Sequence, residues 1–189
     1  GYSGDLDWFR NKISHQFVVK MRARLGPEDG DDKSVRLLNR MVEWDEMGIK
    51  YEADQRHAEI IVEALKQEIG NKTLSCPGKR IKPEDYTETQ KQELVPNKAS
   101  LYRALAARAN YLSQDRTDIR FSVKEISRRM SKPRVLDWEA LVRLGKYLKG
   151  KERYVQLYQY QESTRNGSNK FVNAWVDTDW AGCLETRRS

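Results

Sequence analysis

The sequence predicts an α+β protein that is mainly helical, with two short β-hairpins. Over most of the chain, apolar residues recur every three or four positions, which is the period of an amphipathic helix. Residues 34–53 and 154–177 depart from this period and have the alternation, or the enrichment in β-branched and aromatic side chains, that is typical of strands. The 189 residues are 38% apolar and 33% charged, a balance that favours a helical protein with a strongly charged surface.

The first predicted elements are a helix and a hairpin. The helix spans residues 5–25 and ends at a Gly-Pro pair. Its apolar face contains Leu6, Phe9, Ile13, Phe17 and Met21. Residues 34–44 and 49–53 form the two predicted strands, and Gly48 is expected to supply a positive φ in the loop between them.

A second helix is expected after the hairpin. Asp54 is its predicted N-cap, and Gly70 is its predicted C-terminal glycine. Its apolar positions are Ala58, Ile61, Val62, Leu65 and Ile69. Residues 71–98 contain Pro, Gly and many polar side chains, so they are interpreted as a linker at the main domain boundary.

Three basic amphipathic helices follow, over residues 100–113, 117–131 and 136–149. Asp115 or Thr117 is expected to cap the second helix. The predicted apolar positions are Leu101, Leu105, Ala109 and Leu112, then Ile119, Val123, Ile126 and Met130, then Trp138, Leu141, Leu144 and Leu148. The outward charges are expected to be Arg103, Arg108, Arg116, Arg120, Lys124, Arg128, Arg129, Arg143, Lys146 and Lys149.

The charge of the chain is concentrated in this block. The formal net charge is +7, and residues 100–153 contain 14 Lys and Arg against 6 Asp and Glu. Such a block indicates a polyanionic partner such as nucleic acid, or else an ordinary solvated helix surface. No stretch approaches the about 20 apolar residues of a membrane span, and no targeting signal is present. The expected location is therefore intracellular, in the cytoplasm or nucleus.

The remaining polar motifs give little indication of a metal site. Cys76 and Cys183 are far apart, so neither a disulfide framework nor a zinc site is expected.

The chain begins at Gly1 and ends in Arg187-Arg188-Ser189, and we interpret it as a segment of a longer polypeptide. Residues 154–160 and 171–177 are the predicted strands of a second hairpin, and Asp177 lies at the end of the latter.

Several motifs in series resemble the Pol polyprotein of copia-type LTR retrotransposons. They are Tyr102-Arg103-Ala104-Leu105, Tyr111-Leu112, Arg116-Thr117-Asp118-Ile119, Ser127-Arg128-Arg129-Met130-Ser131-Lys132-Pro133, Tyr147-Leu148-Lys149-Gly150 and Val176-Asp177-Thr178-Asp179-Trp180-Ala181-Gly182-Cys183. Residues 34–53 are similar to the hairpin that grips the primer in this family. The chain departs from the family pattern at Asn39, where Gly is usual, and at Thr117, where Pro is usual.

The resemblance implies a division of the chain. Residues 1–70 would be the end of the reverse transcriptase palm with the primer-grip hairpin and thumb, and residues 71–98 a linker. Residues 99–150 would be a basic helical thumb and connection block. Residues 151–189 would start a truncated RNase H-like domain, whose first strands would belong to an incomplete sheet.

The same resemblance limits the chemistry that we expect. The Tyr-x-Asp-Asp motif of the polymerase site is absent. Asp177 matches the first catalytic carboxylate of RNase H, with Asp179 as the alternative, and would be one ligand of the Mg²⁺ ions that the intact enzyme uses. The family's other acids fall outside this sequence. We therefore expect neither catalysis nor a bound metal ion from this chain alone.

The implied role is to hold a template–primer duplex, either RNA–DNA hybrid or duplex DNA, together with the remainder of the polyprotein. The candidate phosphate contacts are Arg103, Arg108, Arg120, Lys124, Arg128 and Arg129. Tyr102, Tyr111 and Tyr147 would either stack on bases or complete the apolar faces. Two alternatives remain open: a domesticated or degenerate nucleic-acid-binding module, and a helical adaptor that binds acidic protein.

Overall fold

In the computed structural model, residues 3–79 and 81–160 are described. They form an α+β fold in which helices surround one core and a four-stranded antiparallel sheet lies beside them. The helices are α1 (Ser3–Gln16), α2 (Arg56–Ala64), α3 (Lys66–Ile69), α4 (Glu88–Lys91), α5 (Pro96–Leu112), α6 (Arg120–Ser127) and α7 (Val135–Gly150). The strands are β1 (Ser34–Leu37), β2 (Arg40–Asp45), β3 (Gly48–Glu52) and β4 (Val155–Gln159). The predicted fold class is confirmed.

The helices α2, α3, α5, α6 and α7 enclose the hydrophobic core. Its larger side chains are Ile61, Leu65, Ile69, Tyr102, Leu105, Leu112, Ile119, Val123, Ile126, Trp138, Leu141, Leu144, Tyr147 and Leu148. Helix α7 can approach α3 closely because Gly145 has no side chain. A Cβ there would lie 2.8 Å from Ile69 Cδ1 and 3.0 Å from Leu65 Cδ1. The periodicity of the sequence therefore identified most of this core, although Leu101 is 41% exposed.

The sheet has the strand order β1-β2-β3-β4, and every pair is antiparallel. Residues 34–44 form two strands, not the single predicted one, because the chain reverses at Leu38 (φ 50°) and Asn39 (φ 64°). Asparagine tolerates this left-handed conformation better than most residues. The resemblance to a family with Gly at this position is therefore compatible with the backbone.

The role expected for Gly48 is corrected. Gly48 is the first residue of β3, and it is not among the described residues with positive φ. A Cβ at this position would collide with the backbone oxygen of Tyr158 in β4. The glycine thus permits the close approach of β4. Strand β4 pairs with β3 across the sheet, whereas residues 171–177, its expected hairpin partner, lie outside the described residues.

Helix boundaries differ from the predictions in three places. Helix α1 ends at Gln16, nine residues early, and none of its residues is buried. Helix α5 begins at Pro96, inside the predicted linker, since Pro is well accommodated in a first helical turn. Helix α6 ends at Ser127, and Met130 follows it in a turn.

The predicted caps are also corrected. Asp54 does not cap α2: Gln55 is the N-cap residue, and the Asp54 carboxylate accepts hydrogen bonds from the backbone and guanidinium of Arg56. The single predicted helix after Asp54 is divided into α2 and α3 at Leu65. Gly70 does end it, with φ of 56°. Neither Asp115 nor Thr117 forms the expected cap. The Asp115 carboxylate instead accepts a hydrogen bond from Arg40, which is distant in the sequence.

The segment between α3 and α5 is fastened to α7. Thr87 and Gln90 form a capping box that begins α4. The backbone of Leu94 donates to Pro133 O at 2.8 Å, and that of Val135 donates to Gln92 O at 2.9 Å. Helices on both sides of this segment share the core, since α2 and α3 pack on α7.

Candidate nucleic-acid interface

A stripe of exposed cations runs along the outer face of α6. Arg120, Lys124 and Arg128 are spaced four residues apart, and all three are exposed. The opposite face of α6 is fixed by burial of Val123 and Ile126. The Arg120 guanidinium donates to the carbonyl of Gln114 at 3.3 Å. We call the outer face, from Arg120 to Arg128, the α6 stripe.

The other end of the α6 stripe is joined by Arg103 of α5. Its Nε donates to Met130 O at 2.8 Å, and its Nη2 donates to Ser131 O at 3.2 Å. Arg128 pairs with Glu125 at 3.1 Å. Arg129 is half-buried beside them in the chain. Positive side chains near these C-terminal carbonyls also compensate the helix dipole. These arginines therefore stabilise the end of α6 and also add positive charge to the surface.

Arg108 lies apart from the α6 stripe. It lies on α5 facing α2, where its Nη1 is 3.3 Å from Nδ1 of His57. The imidazole also contacts the Tyr111 ring, with centroids 4.7 Å apart. Burial lowers the pKa of His57 below its usual value, and the nearby arginines lower it further. Neutral His57 can therefore accept this hydrogen bond. Five of the six predicted cations thus gather around α6, and Arg108 does not.

Substitution of Lys124 is the most direct test of whether the α6 stripe binds an anion. Among the described residues, none forms a hydrogen bond or ion pair with the Lys124 ammonium group, and the residue is exposed. Its ammonium group is consequently available to an external anion without loss of an internal contact. The carbonyl and carboxylate partners of Arg103 and Arg128 make those residues harder to interpret by mutation.

Arg116 was expected on the surface and is instead buried, with 1% of its side chain exposed. Its guanidinium donates to both carboxylate oxygens of Asp118, at 3.0 Å and 2.6 Å, and to the carbonyl of Lys151 at 2.9 Å. The Tyr147 hydroxyl donates to Asp118 at 2.8 Å. Burial and this hydrogen bond raise the pKa of Tyr147 to about 12. These groups join the segment just before α6 to α7 and to the chain entering β4.

Asp115 connects the helical bundle, which consists of α2, α3, α5, α6 and α7, to the sheet. Its carboxylate accepts hydrogen bonds from Arg40 and from the Tyr51 hydroxyl, both at 2.7 Å, and its carbonyl accepts from the Gln156 side chain. Burial and the contact with Asp115 raise the pKa of Tyr51 to about 12. No local pattern identifies this site, because the partners of Asp115 lie 75, 64 and 41 residues away in the chain.

The tyrosines divide between core and surface. Tyr102 and Tyr147 are buried, and the Tyr102 hydroxyl donates to Ile126 O at 2.7 Å. Tyr111 is 41% exposed, with the Arg40 guanidinium 5.6 Å from its ring centroid. The first two therefore complete the apolar faces and are not available to stack on a base.

Asp177 and Asp179 lie outside the described residues. In the part of the chain that the structure describes, no group of three or more His, Cys, Asp and Glu side chains is arranged to hold a metal ion. The described helices include none that has both the length and the apolar character needed to cross a membrane.

Two proteins of known sequence are similar to part of this chain. The uncharacterized mitochondrial protein AtMg00810 of Arabidopsis thaliana is 36% identical over 88 residues, which are 47% of this chain and 34% of that protein. The secreted RxLR effector protein 161 of Plasmopara viticola is 38% identical over 74 residues, or 39% of this chain and 48% of that protein. The matched regions thus span between a third and a half of these relatives.

No protein-family model matches the chain, and no solved structure matches it. The similarity to AtMg00810 supports the coarser part of the resemblance, namely a retrotransposon-related protein. The similarity does not identify the chain as copia-type, as a reverse transcriptase or as an RNase H.

Proposed function

We propose that this chain is part of a retrotransposon reverse transcriptase and that its helical block holds the template–primer duplex. The observation that supports this most directly is the α6 stripe, where cations recur on one exposed helix face beside a well-packed core. Contacts from such a face to phosphates position a duplex without reading its sequence. The series of copia-type motifs, two of which (residues 116–119 and 127–133) flank α6, supports the same role.

The proposal gives the chain no catalytic step of its own. Asp177 would be the first carboxylate of an RNase H site that holds Mg²⁺, and the metal would activate water and stabilise the leaving oxygen there. The described residues would bind and orient the duplex. The exposed apolar residues of α1, including Trp8 and Phe9, would pack against the remainder of the polyprotein.

The test is binding to a labelled RNA–DNA hybrid and to duplex DNA over a salt series. We expect affinity to fall steeply with salt, because bound counterions are released on association. Replacing both Arg120 and Lys124 with Ala should reduce the slope of log affinity against log salt by about two. Lys66→Ala is the matched control, since Lys66 is an exposed cation on α3, and it should leave the slope unchanged.

Two results would contradict the proposal. One is an absence of binding to either duplex at low salt. The other is equal binding to poly-glutamate, which would favour the alternative of an adaptor for acidic protein. Equal slopes for the double variant and Lys66→Ala would show that the α6 stripe is not the contact surface.

A further inference from the structure

An exposed aromatic side chain lies within the α6 stripe. Phe121 is 68% exposed, although its neighbours in the chain, Ser122 and Val123, are buried. It lies three residues before Lys124 and seven before Arg128, so these side chains share one face of the helix, and Arg120 immediately precedes it in the chain. Burying a Phe side chain typically stabilises a fold or a complex by about 1.5–3 kcal/mol. In the described fold Phe121 is not buried, so burial against a partner would supply this free energy.

Charge determines which partner suits this position. An apolar protein surface that covered Phe121 would also remove the charged groups of Arg120 and Lys124 from water without pairing them, which is costly. A nucleic acid avoids this cost, because its bases offer an aromatic face and its phosphates offer the counter-charge. Aromatic side chains set among cations are the usual means by which proteins bind single strands.

We propose that Phe121 stacks on an unpaired base while Arg120 and Lys124 contact the phosphates beside it. The inference rests on the proposed function and refines its substrate class. Bases inside a duplex are already stacked on each other and cannot reach Phe121. The α6 stripe therefore favours a duplex that has a single-stranded overhang over a blunt duplex.

The experiment compares three labelled probes with the full chain: an oligo-dT strand, a blunt RNA–DNA hybrid and the same hybrid with a template overhang. Stacking contributes about 1–3 kcal/mol per base, which corresponds to a loss of about 5- to 150-fold in affinity. Phe121→Ala should show this loss for oligo-dT and for the overhang probe. It should leave blunt-hybrid affinity within about twofold and the salt slope unchanged, because no charge is removed.

Three further variants separate stacking from other effects. Phe121→Trp should retain the affinity, since a larger ring stacks at least as well, whereas Phe121→Leu should behave like Phe121→Ala despite its apolar side chain. Phe9→Ala is the matched control: Phe9 is 56% exposed on α1 and should have no effect. Thermal melts should be unchanged for all variants, because neither ring is buried.

The outcomes distinguish this inference from the proposed function. If the Arg120/Lys124 double variant weakens binding but Phe121→Ala does not, the stacking role is wrong and the duplex-holding role stands. Equal losses of Phe121→Ala on blunt and overhang probes, or full affinity in Phe121→Leu, would also overturn stacking. Failure of the unmodified chain to bind any probe at low salt would refute both.

Discussion

The helical bundle and the sheet are held by different forces. In the bundle, long apolar side chains such as Leu141, Leu144 and Leu148 are fully buried, so its stability comes from removal of apolar surface from water. In the four strands, all within the described residues, Gly48 is the one buried residue. The sheet is attached to the helices through polar contacts at Asp115.

This difference shows where each part of the molecule is vulnerable. Loss of one core methyl group affects the bundle locally and in proportion to the cavity that it leaves. A polar attachment depends on each of its hydrogen-bonding groups, because removal of one group leaves the others without a hydrogen-bond partner. Mutations that target each region in turn should therefore affect stability in different ways.

The largest effect is expected from Arg116→Ala, which removes the cation at the junction of both regions. Asp118 would remain half-buried without its paired charge, and such a change typically costs about 3–5 kcal/mol. The free energy of unfolding in urea is the measurement. Arg120→Ala, four residues later on the exposed face, is the matched control and should stay within about 0.5 kcal/mol of the unmodified chain. Equal effects of the two changes would contradict the burial of Arg116.

A somewhat smaller loss is expected from Leu144→Ala in the bundle. The side chain is fully buried, and Leu→Ala changes at such sites cost about 2–5 kcal/mol. Leu101→Ala removes the same atoms from a position that is 41% exposed, and it should cost under about 1 kcal/mol. Urea unfolding of both variants would check the difference, and similar losses would show that the two leucines have similar burial.

Asp115→Ala should act on the sheet in particular. Two hydrogen bonds to the carboxylate are lost, those from Arg40 and Tyr51, and leaving these groups unpaired should cost about 1–3 kcal/mol. Native-state hydrogen exchange should accelerate in β2 and β3, which carry Arg40 and Tyr51, more than in α5 and α7. Asp85→Ala, at an exposed acidic position, is the control. Uniform acceleration throughout the chain would contradict a local attachment.

The smallest effect is expected from acid titration of Asp118. Burial opposes ionisation, but the Arg116 guanidinium and the Tyr147 hydroxyl hold the pKa of Asp118 below its ordinary value of 3.8. The stability that this carboxylate contributes is therefore present above pH 3.8 and is lost as pH falls through the lower folded-state pKa. The difference in unfolding free energy between the unmodified chain and Asp118→Asn should shrink over that range. A difference independent of pH would exclude the pairing with Arg116.

Local patterns were sufficient to predict the helices of the bundle. The apolar period located α5, α6 and α7 and placed Val123, Leu141 and Leu148 in the core, because burial on one face of a helix depends on positions three and four residues apart. The same reasoning overextended α1. There the apolar stripe continues to Met21, but none of the helix is buried, and without tertiary packing the pattern alone does not sustain a helix.

The sequence by itself determined the α+β class, the core helices and the cations of the α6 stripe. Only the tertiary structure decided that Arg116 is buried, that Arg108 faces His57 and that β4 pairs with β3. Each of these depends on contacts between residues far apart in the chain, such as Arg116 with Lys151 and Asp115 with Arg40. Residue type and spacing describe only near neighbours, so an arginine on the surface and one inside a polar network have the same local pattern.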